Sequence, residues 1–224
     1  YNSDRNNREK DGGGARMNIE LYVCRGAQPP ADAVALSCFS PYRRARIDAA
    51  KTERGRADAY AASLALRAAL LAHGIDESGC CYEIAEGGKP RLLHSPFHFC
   101  LSHTEGGALC ALFDAPIGAD TEAVAPQPER DWAALVQRFF TPREQAYFHS
   151  RGESARDFFM LWTRKESYLK YTGQGITVPL SSFCVLDGAG GAKASPCYQT
   201  LFEKGFVISL CTEKAEKHPK IVWI

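Results

Sequence analysis

Residues 116–122 (PIGADTE) carry two acidic side chains two positions apart, Asp120 and Glu122. In a β-strand, residues two apart lie on the same face, about 6.6 Å from each other along the backbone. Like charges at that distance repel each other unless a cation or protons intervene. Carboxylates are suitable ligands for Mg²⁺, which completes its octahedral shell with water and phosphate oxygens. Taken alone, the pair is better explained by a strand that runs into a solvated acidic turn, and a magnesium site is the alternative.

The stretch 154–171 has an apolar spacing that predicts a helix. On a helical projection, Lys165, Glu166 and Lys170 fall within the arc of the apolar side chains. A helix with one face in solvent would carry its charges on the opposite side. An ion pair between Glu166 and Lys170, worth only about 0.2–0.5 kcal/mol, is one explanation. The other is that these charges form a site at the edge of the core.

Ser102 and His103 lie at the end of a predicted strand, before a glycine-containing turn. Zinc binding by His94, His98, Cys100 and His103 is an alternative, but strand alternation sends His98 and His103 to opposite faces. Neither a C-x-x-C nor an H-E-x-x-H motif supports it. We therefore interpret Ser102 and His103 as donors to a phosphate.

Basic residues are concentrated in two parts of the first half, residues 41–56 and residues 87–91 (GGKPR). Charge runs are usually solvated surfaces. However, guanidinium groups bind phosphate through two parallel hydrogen bonds, and a glycine turn lets backbone N–H groups approach an anion. The two stretches together therefore suit a small ligand with several phosphates.

Composition narrows the class of protein. The 224 residues include 27 basic and 26 acidic side chains, a formal net charge of +1, and 45% are hydrophobic. This apolar content excludes a mainly disordered chain, and the balanced charge gives no reason to expect nucleic acid as the main ligand. No apolar run approaches the roughly 18 residues of a membrane span, no signal peptide is evident, and the nine cysteines form no C-x-x-C pair. We therefore expect a soluble, cytoplasmic protein that binds neither nucleic acid nor membranes. We also expect it to be a monomer.

The predicted elements follow the order strand, helices, several strands, and this order occurs twice. The predicted strands are residues 18–25, 81–85, 97–102, 108–113, 117–122, 182–186, 197–202, 206–211 and 220–223, and the predicted helices include 57–73, 129–140, one from 142, and 154–171. We expect residues 17–115 to form an N-terminal α+β lobe and residues 116–224 a C-terminal α+β lobe, with a cleft between them. Residues 1–16 are expected to be a disordered leader or a tail introduced by cloning.

Five short motifs, in this order, resemble those of the Sfp-type 4′-phosphopantetheinyl transferase family. They are G-K-P (88–90), L-S-H-T (101–104), I-G-A-D-T-E (117–122), F-F-T-P-R-E (139–144) and W-T-R-K-E-S-Y-L-K (162–170), the last followed by G-Q-G (173–175). Each motif is weak alone, but five in the family's order are a specific signal. The resemblance implies two α+β lobes related by a pseudo-twofold axis, with coenzyme A and Mg²⁺ bound in the cleft between them. It also implies the reaction, which is transfer of the phosphopantetheine arm of coenzyme A to a serine of an apo acyl or peptidyl carrier protein, with release of 3′,5′-ADP.

The resemblance also assigns roles to individual residues. The implied metal ligands are Asp120, Glu122 and Glu166, and the implied catalytic residues are Glu166, Glu122 and Lys170. The implied coenzyme A contacts are Arg43 and Arg46 near the 3′-phosphate, Lys89 and Pro90 at the nucleotide, Ser102 and His103 at phosphates, Lys165, and Lys170 at the pyrophosphate. Glu166 is the favoured general base and Glu122 is its rival.

The chain departs from the family pattern at two positions. Asp58 stands where members commonly carry an arginine, so Arg54 or Arg56 is expected to take over part of the 3′-phosphate site, and Ala119 replaces a larger aliphatic residue. Two other functions remain as alternatives. One is a non-catalytic protein that binds coenzyme A or another nucleotide, and the other is an interaction module that binds a metal through histidine and cysteine.

Overall fold

A computed structural model describes residues 17–30, 33–124, 132–186 and 196–224. The strands described are β1 (Glu20–Arg25), β2 (Tyr82–Ile84), β3 (Pro90–Leu92), β4 (His98–Thr104), β5 (Gly107–Phe113), β6 (Gly118–Ala123), β7 (Cys197–Glu203), β8 (Phe206–Thr212) and β9 (Lys220–Trp223). The α-helices described are α1 (Pro41–Asp48), α2 (Glu53–Leu71), α3 (Trp132–Phe139), α4 (Pro142–Ser150) and α5 (Ala155–Thr172). This mixture of helices and mainly antiparallel sheets confirms the predicted α+β class. The predicted leader at 1–16 and the start of the predicted helix at 129–131 lie outside the described residues.

The first sheet has the strand order β4-β5-β1-β9 and is covered by helix α2. Thr52 caps this helix, since its hydroxyl accepts a hydrogen bond from the Gly55 N–H (3.0 Å). Alanines recur every four residues on the buried face of α2, at positions 61, 65 and 69. Their small side chains let the helix lie close to the sheet, with Leu66 and Leu70 filling the space between them.

The second sheet has the order β6-β8-β7, and helix α5 packs across β6 and β8. Gly118, at the start of β6, allows this approach. A Cβ atom there would lie 1.9 Å from the Ser167 carbonyl oxygen and 2.6 Å from the Tyr171 nitrogen. Ser154 caps the N-terminus of α5, and Gly173 ends the helix in the left-handed conformation, with φ of 72°. Within the described ranges, no helix has the length and apolarity needed to cross a membrane.

Two predicted elements need correction. The predicted C-terminal lobe, residues 116–224, includes the last strand, β9, but this strand pairs in parallel with β1 and lies at the edge of the first sheet. The segment 182–186 was predicted as a strand. It begins at the end of a 3₁₀ turn (Leu180–Ser182) and pairs with no strand among the described residues. Its backbone groups meet side chains instead, since the Phe183 carbonyl accepts from the buried Lys165 and the Val185 N–H donates to Glu144.

Candidate active site

The candidate site lies where the edge strands of the two sheets meet. Strand β6 pairs with β8 along one side only, so alternate backbone N–H groups on its other side need partners. Buried side chains of β4 supply them, with acceptor distances of 3.2 Å from Ala119 N to Cys100 Sγ, 3.3 Å from Thr121 N to Ser102 Oγ, and 3.1 Å from Ala123 N to Thr104 Oγ1. This seam fixes β6 against the first lobe and sets the position of its acidic residues.

Asp120 lies at the centre of the seam with only 6% of its surface exposed. Its Oδ1 atom accepts hydrogen bonds from Ser102 Oγ (2.6 Å) and from Lys170 Nζ (2.7 Å), and Lys170 Nζ also donates to Ser102 Oγ (2.9 Å). Its Oδ2 atom is buried and accepts no hydrogen bond from any described residue. A buried carboxylate oxygen without a donor is costly, which makes this atom a place for a cation or another donor to bind.

Glu166 and Glu122 belong to the same electrostatic group as Asp120. Burial raises the pKa of Glu166, and the charges of Asp120 and Glu122 raise it further, while Lys170 opposes the shift. Glu122 accepts a hydrogen bond from Thr104 Oγ1 (2.8 Å). Among the described residues, no three His, Cys, Asp or Glu side chains are grouped closely enough to hold one metal ion.

Lys170 keeps its positive charge in this environment. Burial lowers the pKa of its ammonium group, but the charge of Asp120 and the hydrogen bond between them outweigh burial, so the pKa is raised. The side chain is 29% exposed, in contrast to 8% for Asp120. Lys170 therefore joins the buried carboxylate to a surface that an anionic ligand can reach.

A cavity of about 260 Å³ opens beside this group and is lined by both lobes. The first lobe contributes the turn at 87–88, Lys89 and Pro90, and the second contributes Glu166 and Lys170. Glycine is required at position 87, because a Cβ atom there would lie 1.4 Å from a carbonyl oxygen at the C-terminus of α5. The cavity thus places a glycine turn and two lysines, groups that suit a phosphate, at the border of an otherwise largely apolar lining that includes Phe99, Leu101 and Leu169.

Lys89 also holds the lobes together. Its ammonium donates hydrogen bonds to the Ile117 carbonyl (2.6 Å) and to the Lys170 carbonyl (2.8 Å). The second of these carbonyls belongs to the last turn of α5, where the helix dipole favours a positive charge. Two of the three N–H donors of Lys89 therefore fix the end of α5 beside the start of β6.

Arg43 is not placed to bind a ligand, contrary to its predicted role. It is 5% exposed, and its guanidinium donates from Nε (3.0 Å) and Nη2 (2.9 Å) to Ser63 Oγ. Burial lowers the pKa of this group. Its donors point into the first lobe because α1 packs against α2 at this position. Arg46, on the same helix, is exposed.

Lys165 is the second correction. It is 0% exposed, and its ammonium contacts Glu144 Oε2 (2.8 Å), the Leu180 carbonyl (2.7 Å) and the Phe183 carbonyl (2.6 Å). Its three N–H donors are thus matched by three acceptors inside the second lobe. Burial lowers its pKa, while Glu144 opposes that shift. Lys165 therefore has no donor left for a ligand, and its contacts stabilise the packing of the second lobe.

His103 is exposed at the end of β4, with Nδ1 3.7 Å from Asp58 Oδ2. Both residues line a second cavity of about 610 Å³, which also includes Arg54, Glu122 and Trp162. Arg54 approaches Glu105 at 4.0 Å. The predicted replacement of the missing arginine by Arg54 is therefore compatible with its place in the same cavity as His103.

Two residues of the site region were missed by sequence reasoning. Thr104 donates a hydrogen bond to Glu122. Its position two residues after Ser102, on the same face of the strand, is the sequence feature that could have indicated a role in the site. Glu144, the last residue of the F-F-T-P-R-E motif, pairs with Lys165. Its presence at a fixed place in a recognised motif indicated a role but did not indicate which lysine it would meet.

Comparison with known proteins agrees with this geometry. The sequence model described as the 4′-phosphopantetheinyl transferase superfamily matches residues 116–217, which include β6 and α5. The chain is 35% identical over 121 residues to a 4′-phosphopantetheinyl transferase of Bacillus subtilis, covering 53% of this chain and 52% of that protein.

Two further relatives from this superfamily give similar matches. The chain is 32% identical over 149 residues to 4′-phosphopantetheinyl transferase Sfp of Bacillus subtilis strain 168, covering 61% of this chain and 65% of that protein. It is 37% identical over 110 residues to 4′-phosphopantetheinyl transferase HetI of Nostoc, covering 46% of each chain. The matched regions therefore span about half to two thirds of the relatives' own lengths.

Proposed function

We propose that this protein transfers the 4′-phosphopantetheine arm of coenzyme A to a serine hydroxyl of an apo acyl or peptidyl carrier protein. The observation that carries the proposal is the group formed by Asp120, Ser102 and Lys170, which borders a phosphate-suited cavity between the two lobes. The match of residues 116–217 to the transferase superfamily supports the same reaction. As part of the proposal, the protein acts as a cytoplasmic monomer.

Two features of the site favour a bound magnesium ion, although among the described residues its three carboxylates are not grouped closely enough to hold one ion together. The buried Asp120 Oδ2 atom accepts no hydrogen bond from the described residues, and the pKa of Glu166 is raised by burial and by neighbouring negative charge. A cation would give the Asp120 Oδ2 atom a partner, and its positive charge would lower the pKa of Glu166 again. We propose Asp120, Glu122 and Glu166 as the residues that hold it, with water and phosphate oxygens as further ligands. When bound, Mg²⁺ would supply Lewis-acid stabilisation of the pyrophosphate.

Individual residues of the chain would then have separate roles in the transfer step. The serine oxygen forms a bond to the phosphorus on the pantetheine side, the bond to the bridging oxygen breaks, and 3′,5′-ADP leaves. Lys170, kept protonated beside Asp120, would stabilise the negative charge that accumulates on the leaving phosphate. Glu166 would accept the serine proton, since burial moves its pKa towards the range of a useful base. Glu122 is the rival base.

Binding of the nucleotide end is assigned to the remaining predicted contacts. Lys89 and Pro90 line the smaller cavity, and His103 is exposed at the larger one. Ser102 lies between Lys170 and Asp120, so its hydroxyl would orient the lysine that meets the pyrophosphate. Arg46 is the exposed basic residue of α1 and would approach the 3′-phosphate.

The test is a transfer reaction with the full chain, coenzyme A, Mg²⁺ and a purified apo carrier protein. Intact-mass measurement should show a gain of one phosphopantetheine on the carrier, and mutation of the acceptor serine or addition of a chelator should abolish it. Coenzyme A binding without any mass gain would favour the alternative, a non-catalytic nucleotide-binding protein. An unchanged carrier mass under all conditions contradicts the transferase proposal.

A further inference from the structure

The seam between β4 and β6 does more than join two sheets. Each hydroxyl in it has one proton to donate and lone pairs with which to accept. Thr104 Oγ1 accepts from the Ala123 N–H (3.1 Å) and donates to Glu122 Oε2 (2.8 Å). With both its donor and an acceptor position in use, the hydroxyl has a fixed orientation, and so does the carboxylate oxygen that it meets.

Ser102 occupies the equivalent position one residue pair earlier on the two strands. Its hydroxyl accepts from the Thr121 N–H (3.3 Å) and donates to Asp120 Oδ1 (2.6 Å). The two strands therefore use the same arrangement twice, once for each acidic residue of β6. The difference is that Ser102 also accepts from Lys170 Nζ (2.9 Å), so any change at Ser102 disturbs a proposed cofactor contact as well.

From this repeated arrangement we infer that Thr104 is a positioning residue that orients Glu122 for the metal ion. Thr104 is 9% exposed, and it lines the larger cavity together with Glu122. A carboxylate that ligates a metal is itself held by hydrogen bonds from surrounding groups, and loss of such a partner typically costs about 10- to 100-fold in metal affinity or activity. The inference rests on the proposed transferase function only through the identity of the metal site.

The decisive variant is Thr104→Val, which removes the hydroxyl at almost the same volume. Thr104→Ser keeps the hydroxyl and tests rescue. Mn²⁺ serves as the probe, with free ion measured by electron paramagnetic resonance in the presence and absence of coenzyme A. T104V should weaken Mn²⁺ binding about 10- to 100-fold, and T104S should remain close to the wild type. In the transfer assay, T104V should need more Mg²⁺ for half-maximal rate, with an unchanged KM for coenzyme A at saturating Mg²⁺.

Thr212 provides a matched control. It is also a buried strand threonine, but its hydroxyl donates to the Lys214 carbonyl (2.8 Å). Thr212→Val should therefore leave Mn²⁺ affinity unchanged while it removes a hydroxyl of the same kind. If T104V does not fold, T104A removes the same hydroxyl with less side-chain volume and is read in the same way.

The outcomes separate this inference from the function on which it rests. Wild-type Mn²⁺ affinity in T104V, or equal losses in T104V and T212V, overturns the inference even when the protein transfers phosphopantetheine. A wild type that binds no Mn²⁺ overturns it as well. A wild type that binds Mn²⁺, loses that binding on T104V and leaves the carrier unmodified contradicts the proposed function and supports the role of Thr104.

Discussion

Helix α5 carries two lysines five residues apart, and each forms a short ion pair with a buried carboxylate. Lys165 meets Glu144 at 2.8 Å and Lys170 meets Asp120 at 2.7 Å. The surroundings of the two pairs differ. Around Lys165, two backbone carbonyls accept the remaining protons, and both side chains of the pair are completely buried. Around Lys170, the side chain is 29% exposed and its partner keeps a buried oxygen without a donor.

This difference teaches how to tell a structural ion pair from a functional one on the same helix. A pair whose donors and acceptors are all matched within the protein has nothing left with which to bind a ligand. A pair that leaves a buried acceptor without a donor and borders a cavity can bind a ligand there. The unpartnered acceptor lowers the free energy of unfolding while no ligand is bound. The first pair should therefore affect folding when it is broken, and the second should affect activity.

The largest effect is expected for Glu166→Gln. Loss of the proposed base and metal ligand should lower kcat by about 10²- to 10⁴-fold, because the glutamine can neither accept the serine proton nor carry the charge. The fold should be retained, since burial already disfavours the charged form of Glu166. Steady-state kinetics measure the loss of kcat, and a thermal melt measures whether the fold is retained. An E166Q protein with wild-type kcat would remove Glu166 from the base and metal roles and favour Glu122.

The next largest effect is expected for Lys165→Met, and it is an effect on stability. Removal of the lysine leaves Glu144 buried without its positive partner, which should lower the free energy of unfolding by about 3–5 kcal/mol. Urea denaturation followed by fluorescence measures it. The double variant K165M/E144Q should recover part of the loss, because it removes both charges together.

Lys170→Met is the matched comparison for Lys165→Met. It should lower kcat strongly while costing less stability than K165M, because water can reach the position that the lysine leaves. The comparison between the two pairs is wrong if K165M lowers activity at a temperature where the protein is fully folded. It is also wrong if K170M unfolds the protein as strongly as K165M does.

Lys89 lies between the two cases, because it borders the smaller cavity and also binds two carbonyls. Lys89→Met should lower the free energy of unfolding by about 1.5–3 kcal/mol, the usual contribution of a hydrogen bond with a charged partner. It should also raise the KM for coenzyme A. Arg91→Met, an exposed change on the neighbouring strand β3, serves as control and should alter stability by no more than about 0.5 kcal/mol. If K89M loses stability but its KM for coenzyme A is unchanged, Lys89 only joins α5 to β6 and does not bind the ligand.

Much of the site was predictable from sequence because its signal is local. Alternation along β6 places Asp120 and Glu122 on one face, and the helical period of α5 places Glu166 and Lys170 at the edge of the core. The α+β class followed from the same periodicities. These inferences need only the chain near each residue, and the structure agrees with the local geometry.

The errors share one physical cause, which is that the partner came from a distant part of the chain. A helical projection places Lys165 on the apolar face but does not show which elements cover that face. They are α4 and the irregular chain after Leu180, whose carbonyls bind the ammonium. The sequence likewise predicts β9 as a strand, but its pairing with β1, in which Glu20 lies opposite Lys220 and thus 200 residues earlier, is not encoded in its own pattern. Burial of Arg43 depends on Ser63 of α2 in the same way.

The smallest change in KM is expected for the two arginines of α1. They repeat the contrast between a cation whose donors meet protein acceptors, Arg43, and one that is exposed to solvent, Arg46. Arg46 is exposed, and Arg46→Ala should raise the KM for coenzyme A by only a few-fold, since an exposed charge pair contributes about 0.2–1 kcal/mol. The KM should approach that of the wild type at high salt, where such a charge is screened. Arg43→Met should leave the KM unchanged and lower stability, because Ser63 loses its buried partner. A larger change of KM in R43M than in R46A, measured below the melting temperature of both, would return Arg43 to the ligand site and show that burial of its guanidinium does not persist when coenzyme A binds.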